Sequence, residues 1–284
     1  MAEALRDLPF DQFTRHSIVT QVAESVRRHH GIDRLSALDV GGFPGLTTQF
    51  LPQDSVVVID VVAGQPVDGA RYLRADGAAL PFSSGAFDLV VSLDSLEHVP
   101  QDRREAYVSE LLRVSRGFVL ILAPFDQEET VLAERLLAEF VRVVNQEEQP
   151  QLREHRENGL PSLEEWSGFL RDRGLPCVSF SSGFVYNWLP MMLLKHYVFS
   201  LPDSEELQRS IDAFYNVTLQ QSDARAPGYR HGLLASIIGA SPVLDEMQAA
   251  LAPHGEADRL DVIERMEQIG LLLKLADLHV SSRR

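Results

Sequence analysis

The chain has 284 residues, of which 45% are apolar and 24% charged, the composition of a folded globular protein long enough for one large domain or one domain with a cap. Lys and Arg number 26 against 41 Asp and Glu, a formal net charge of -15, and a field of that sign argues against nucleic acid as the main partner. The one cysteine, Cys177, excludes an internal disulfide, fits no zinc-ligand spacing and reads as a small buried hydrophobe.

The N-terminal MAEALRDLPFDQFTRH carries early acids and has no apolar core of signal-peptide length, so a cytoplasmic setting is expected. Phe10, Phe13, Ile18, Val22 and Val26 recur at helical spacing, and Gly31 stops that helix. Leu35 to Val40 reads as a first strand, Gly41 to Gly45 as a turn, and Leu46 to Leu51 as a short helix ended by Pro52. Ser55 to Asp60 is a second strand with four consecutive β-branched residues, as in a sheet covered on both faces. Arg71 to Arg74 and Phe87 to Leu93 are the third and fourth strands. A helix is expected from Asp102, with Asp102 and Glu105 as its start signal and Gly117 as its end. Gly117 to Ala123 is a fifth strand, and this alternation predicts a parallel sheet with right-handed crossovers.

After Pro124 the rhythm changes. Glu128 to Gln146 is a long amphipathic helix, Glu147 to Asn158 is strongly polar, and Ser162 with Glu165 forms a capping box for another helix ending at Gly174. Pro176 to Ser181 and Gly232 to Gly239 are sixth and seventh strands, with Gly183 to His231 inserted between them. The apolar run Phe184 to Phe199 is broken by Asn187, Pro190, Lys195 and His196 and is too short to span a bilayer. Glu256 to Val280 is helical. Its Val262, Met266, Ile269, Leu273, Ala276 and Val280 allow a coiled-coil seam and thus a homodimer. Leu260, Ile263, Leu271, Leu272 and Leu275 make it apolar nearly all round, which fits packing on its own domain better.

The densest chemistry lies between Leu38 and Pro100. Asp39-Val-Gly-Gly-Phe-Pro-Gly45 sits between a strand and a helix, where glycines let backbone amides approach a ligand. A nicotinamide fingerprint would need Gly at 43 and 46, where Phe and Leu stand, so that reading fails, and a nucleotide-dependent reductase with it. LDVGGFPG, Asp60, Asp76-Gly77 followed by LPF, and FDLVVSLDSLEHV together resemble the motif series of class I S-adenosylmethionine-dependent methyltransferases, over roughly residues 35 to 123. The nearest likeness is to the broad group with the LPF...FD.V....LEHV signature.

The resemblance implies a Rossmann-like, mostly parallel seven-stranded sheet with helices on both faces. It implies a methyltransferase domain over residues 1–241, with cap-forming insertions at about 126–160 and 184–230 and a helical extension over 242–284. It implies that Asp39, Gly41, Gly42 and Gly45 hold the methionine moiety of S-adenosyl-L-methionine, that Asp60 accepts from the ribose hydroxyls and that Val61 packs on the adenine. Asp76 and Gly77 would meet the adenine amino group, and Ser92 and Leu93 would lie near the transferring methyl. Asp94, Glu97 and His98 are the candidate catalytic groups, with His98 orienting the acceptor or acting as a base. Some members use a comparable E-x-x-E-H for a divalent metal; no metal is assigned here, because Glu97-His98 also occurs in this signature without one. His155, Tyr186 and Trp188, all in the insertions, are candidates for lining the acceptor pocket.

The expected reaction is methyl transfer to a small-molecule, glycan or lipid-linked acceptor; the apolar segment Trp188 to Leu194 motivates the lipid-linked form, although core packing suits it better. The alternative is a degenerate member that only binds or regulates. Its motivation is Phe43, where the family usually has Gly. Because Pro44 follows, Phe43 should be extended and point away from the cofactor into adjacent packing.

Overall fold

The computed structural model describes residues 5–251. Helix α1, Phe10–His30, closes on Gly31, whose φ of 62° gives the left-handed cap that returns its N–H to the Arg27 carbonyl. Seven strands follow: β1 Ser36–Val40, β2 Ser55–Asp60, β3 Arg71–Arg74, β4 Phe87–Leu93, β5 Ser115–Ala123, β6 Cys177–Phe184 and β7 Gly228–Ser236. They form one sheet in the order β3-β2-β1-β4-β5-β7-β6. The pairs among β1 to β5 are parallel, and β7 runs antiparallel to both β5 and β6. This is the mostly parallel seven-stranded sheet that the resemblance implies, and the strands β1 to β5 are parallel as their alternation with helices predicts.

Alternating side chains supply both cores. Ala37, Val58, Leu89, Val91, Leu120 and Leu122 meet Val19, Val22 and Val26 of α1, together with Val243 and Met247 of the final described helix, α9 (Pro242–Ala250). Leu38, Ile59, Val90, Val119 and Ile121 meet the opposite layer: Val108 and Leu111 of α3 (Gln101–Val114), and Trp166 of α6 (Leu163–Asp172). The short helix α2 covers Thr47–Phe50.

The two insertions share one edge of the sheet. α4 (Glu128–Asn145) and α5 (Pro150–Asn158) follow the carboxyl end of β5, before α6 crosses back. α7 (Val185–Phe199) and α8 (Glu205–Phe214) leave β6 at Phe184, which pairs with Gly228 at the start of β7. The inserted segment therefore begins and ends at the edge where β1 and β4 also finish. It has its own core of Phe10, Leu137, Phe140, Trp188, Leu189, Leu193 and Tyr215.

Several expected boundaries move. α3 starts after Pro100 without any side-chain cap, so Asp102 and Glu105 are not its start signal. Gly117 does not end that helix. It lies inside β5, where a Cβ would sit 2.4 Å from the Asp88 carbonyl oxygen at the register shift between Phe87 and Leu89. The real stop is Ser115, already extended at φ -84°, ψ 140°. β6 and β7 are longer and shifted, because each side of the hairpin runs to the insertion rather than to the nearest glycine. The helix and seam expected over Glu256 to Val280 lie outside the described residues. Among the described residues no helix is long and apolar enough to cross a membrane.

Candidate active site

The strand order reverses between β1 and β4, so the chain leaves their carboxyl ends in opposite directions and opens a crevice there. The turn after β1 folds back so that the Gly41 and Gly42 amides both donate to the Ile59 carbonyl, at 2.7 and 3.2 Å. Gly41 has φ +81°, and a Cβ there would lie 2.2 Å from Ser95 Oγ; one on Gly42 would lie 2.2 Å from Asp39 Cγ. Gly45 is likewise left-handed at φ +100°.

Asp39 is fully buried. Its Oδ2 accepts from Thr47 Oγ1 at 2.5 Å, while its Oδ1 has no partner. Burial pushes this carboxyl up to about 6 despite the Thr47 hydrogen bond. A hollow of about 20 Å³, lined by Arg15, His16, Asp39, Gly42 and Leu93 among others, adjoins it and is large enough for one water.

A larger cleft of about 870 Å³ runs across the carboxyl edge. At one end lie Asp60, Val61 and Val62, at its side Asp76 and Gly77, and at the other end Asp94, Ser95, His98, Gln151, Glu154 and Asn158. Asp60 accepts the Phe43 N–H on Oδ2 and the Val62 N–H on Oδ1, both at 3.1 Å. Val61 is 60% exposed, an apolar side chain offered to the cleft. Asp76 accepts from the Ala78 amide at 2.9 Å and from Arg103 at 2.6 Å, which together hold its carboxyl below the usual range. Gly77 must be glycine because Tyr107 packs where its Cβ would stand, 2.3 Å away.

Phe43 packs edge-on against Tyr72, centroids 5.7 Å apart, and against the Gly64 position. The expected adjacent packing is present, but the residue also lines the cleft, so it is not clear of it. Phe43→Gly should change cofactor affinity by no more than about threefold, roughly the cost of ordering one glycine; a large gain on titration would mean that the ring obstructs the site.

Asp94, Glu97 and His98 do not form one cluster. Asp94, held at φ +46° by its hydrogen bond to Leu122, binds Arg230 through both carboxylate oxygens at 2.6 Å and Arg15 at 2.5 Å. Burial opposes its ionisation, but the two arginines outweigh that and hold it well below the usual range. It is a link in an ion-pair network, not a free acid–base group. Glu97 is 1% exposed and neither carboxylate oxygen has a hydrogen-bond partner; burial, with Asp94 nearby, pushes its carboxyl well up. His98 places Nδ1 on Glu154 at 2.8 Å and turns Nε2 toward His155 Nε2, 3.4 Å away. Burial and His155 hold it below the ordinary imidazole value.

His155 thus joins Glu97 and His98. Tyr186 and Trp188 do not: Trp188 stacks on Tyr229 at 3.5 Å and donates to Asp11, and Tyr186 packs on Phe184. Ser92 is fully buried, its hydroxyl paired with the Tyr107 hydroxyl at 2.9 Å, and Leu93 lines only the small hollow. Sequence reading missed Arg15, Arg103, Tyr107, Glu134 and Arg230. For Tyr107 and Arg103 the signal was available, since both fall on the first turns of the helix after β4; for Arg230, 136 residues from Asp94, there was none.

Residues 38–121 match the family model for a methyltransferase domain. An uncharacterised methyltransferase of Mycobacterium sp. (strain KMS) is 34% identical over 116 residues, covering 36% of this chain and 45% of that protein. The chain spans about half the length of the curated relatives it matches. Among solved structures, the Bacillus subtilis YcgJ protein superposes with a TM-score of 0.45 at 15% identity, covering 78% of this chain and 99% of that one. A Burkholderia thailandensis 1,6-didemethyltoxoflavin-N1-methyltransferase, solved with its substrate and S-adenosylhomocysteine, gives 0.41 at 14% identity, covering 78% of each.

Proposed function

We propose, from the match of residues 38–121 to the methyltransferase-domain family model, that the chain transfers a methyl group from S-adenosylmethionine to a small polar acceptor. The observation that carries this reading is that Gly41, Asp60 and Asp76 wall a single cleft. Its volume lies in the range of small-molecule sites, roughly 300–1,000 Å³.

The residues fit the cofactor. Asp39 keeps a buried carboxylate oxygen unpaired, which suits the ammonium of the methionine moiety, directly or through one water. Asp60 takes one backbone N–H on each oxygen and retains a lone pair on each for the two ribose hydroxyls. Val61 offers an adenine platform, and Asp76 an acceptor for the adenine amino group beside Gly77. The cofactor supplies an already activated methyl, so the chain's own work is to hold two reactants in line and exclude water. This needs no catalytic base, in keeping with the engagement of Asp94 in ion pairs.

The acceptor would enter at the end lined by His98, Gln151, Glu154 and Asn158, with α4 and α5 as a cap. Those side chains favour a polar acceptor. The segment from Trp188 to Leu194 contributes Trp188, Leu189 and Leu193 to the insertion core, so it does not argue for a lipid-linked one.

Asp60→Ala tests the reading. Losing two hydrogen bonds to a carboxylate should weaken S-adenosylhomocysteine binding by at least about thirtyfold in calorimetric titration. An affinity within about twofold of the wild type would remove Asp60 from the site.

A further inference from the structure

We infer that Glu97, His98 and His155 form a binding site for one divalent transition-metal ion, Zn²⁺ or an ion of like chemistry. One ligand atom from each lies within 4.8 Å of the others. The two imidazole Nε2 atoms are 3.4 Å apart, and Glu97 Oε1 is 4.0 Å from His155 Nε2. Metal bonds of about 2.0–2.2 Å at a tetrahedral centre set ligating atoms about 3.3 Å apart, so a small inward movement of Glu97 completes the set.

The surroundings fix the same orientation from behind. His98 Nδ1 is paired with Glu154 Oε2 and His155 Nδ1 with Glu134 Oε1, each at 2.8 Å, while the Tyr229 hydroxyl also donates to Glu134. A carboxylate on Nδ1 keeps the proton there and turns the Nε2 lone pair inward, the usual backing of a metal-bound histidine. Two lone pairs then face each other beside a buried carboxylate with no partner on either oxygen. A cation between them satisfies all three at once. The insertion is clamped so as to hold this geometry: Arg104 donates to the Glu97, Val99 and Gly159 carbonyls, and Asn158 to the His98 carbonyl. Two nitrogens and one oxygen from the protein suit Zn²⁺, Co²⁺ or Fe²⁺ rather than Ca²⁺. Three protein ligands leave a coordination position open. The site bears on metal uptake alone and stands whether or not the chain transfers methyl groups.

The test uses untagged full-length protein stripped with EDTA, dialysed and titrated with Co²⁺. One equivalent should bind, give visible absorption, and shift the ring resonances of His98 and His155, a readout that needs no variant. Zn²⁺ should displace it. His155→Gln and Glu97→Gln should each weaken binding at least about tenfold, Glu134→Gln by about tenfold through the backing contact, and Cys177→Ser should leave it unchanged. Variants count only if circular dichroism shows them folded without metal. Two outcomes overturn the proposal: no uptake of Co²⁺ or Zn²⁺ with the two imidazoles sharing a proton, or uptake that leaves the His98 and His155 resonances unmoved.

Discussion

Replacing Arg230 by methionine will destabilise the protein by about 3–5 kcal/mol, the loss expected when one member of a buried ion-pair network is removed. Arg230 is 3% exposed. Its guanidinium binds both oxygens of Asp94 and also Asp11 Oδ1 at 2.7 Å, and Asp11 in turn accepts from Trp188 at 2.9 Å. The network ties α1, the end of β4, β7 and α7 to one another. Without Arg230, Asp11 loses its short ion pair, keeping Arg15 only at 3.8 Å, and Asp94 keeps Arg15 alone in a left-handed backbone that itself costs about 1–3 kcal/mol. Urea denaturation reads the effect. The double variant Arg230→Met, Asp94→Asn should recover part of the loss, because it removes one of the stranded charges. A single-variant loss below about 1 kcal/mol would mean that the pairing contributes no more than a surface bridge.

Asp39→Asn will move stability and cofactor affinity in opposite directions. The Asp39 carboxyl titrates at about 6 in the fold against an ordinary 3.8, because burial disfavours its charge. The protonated acid is therefore the form the fold prefers. Its contribution to stability is complete below pH 3.8 and is lost as pH rises through about 6, about 3 kcal/mol in all by linkage. The asparagine variant escapes that loss. Its advantage over the wild type should grow between pH 4 and 6 and level off above. Over the same window the wild type gains the charge that suits an ammonium group. At pH 8 the variant should therefore bind S-adenosylmethionine about ten- to a hundredfold more weakly. Parallel stability profiles for the two proteins from pH 4 to 8 would show that Asp39 is ionised throughout.

The sheet was legible because its strands are apolar runs bounded by punctuation. Ser55 to Asp60 and Phe87 to Leu93 have the bounds read from sequence, and α1 stops on Gly31 as its pattern requires. The positions of the proposed cofactor residues follow for a related reason: Asp39 lies in β1 with the glycines just after it, Asp60 ends β2 and Asp76 follows β3, so short-range order fixes where they stand. Boundaries failed where tertiary contact decided them. Gly117 looks like a helix stop but answers to the Asp88 carbonyl on the neighbouring strand. The acceptor end failed for the same reason. The sequence groups Asp94, Glu97 and His98 by adjacency. A left-handed residue at 94 and the short 3₁₀ turn Leu96–His98 send their side chains to different partners, Arg230 in one case and His155 in the other. Trp188 looked like a pocket aromatic, yet stacking on Tyr229 inside the insertion core takes up its face.

One cleft at the β1–β4 crevice is the proposed S-adenosylmethionine site. Isothermal titration of the wild-type protein with S-adenosylmethionine tests it most directly. One equivalent should bind with micromolar affinity, be displaced by S-adenosylhomocysteine and bind more weakly in Asp60→Ala. Absence of binding at millimolar cofactor, or binding indifferent to Asp60→Ala, would contradict it.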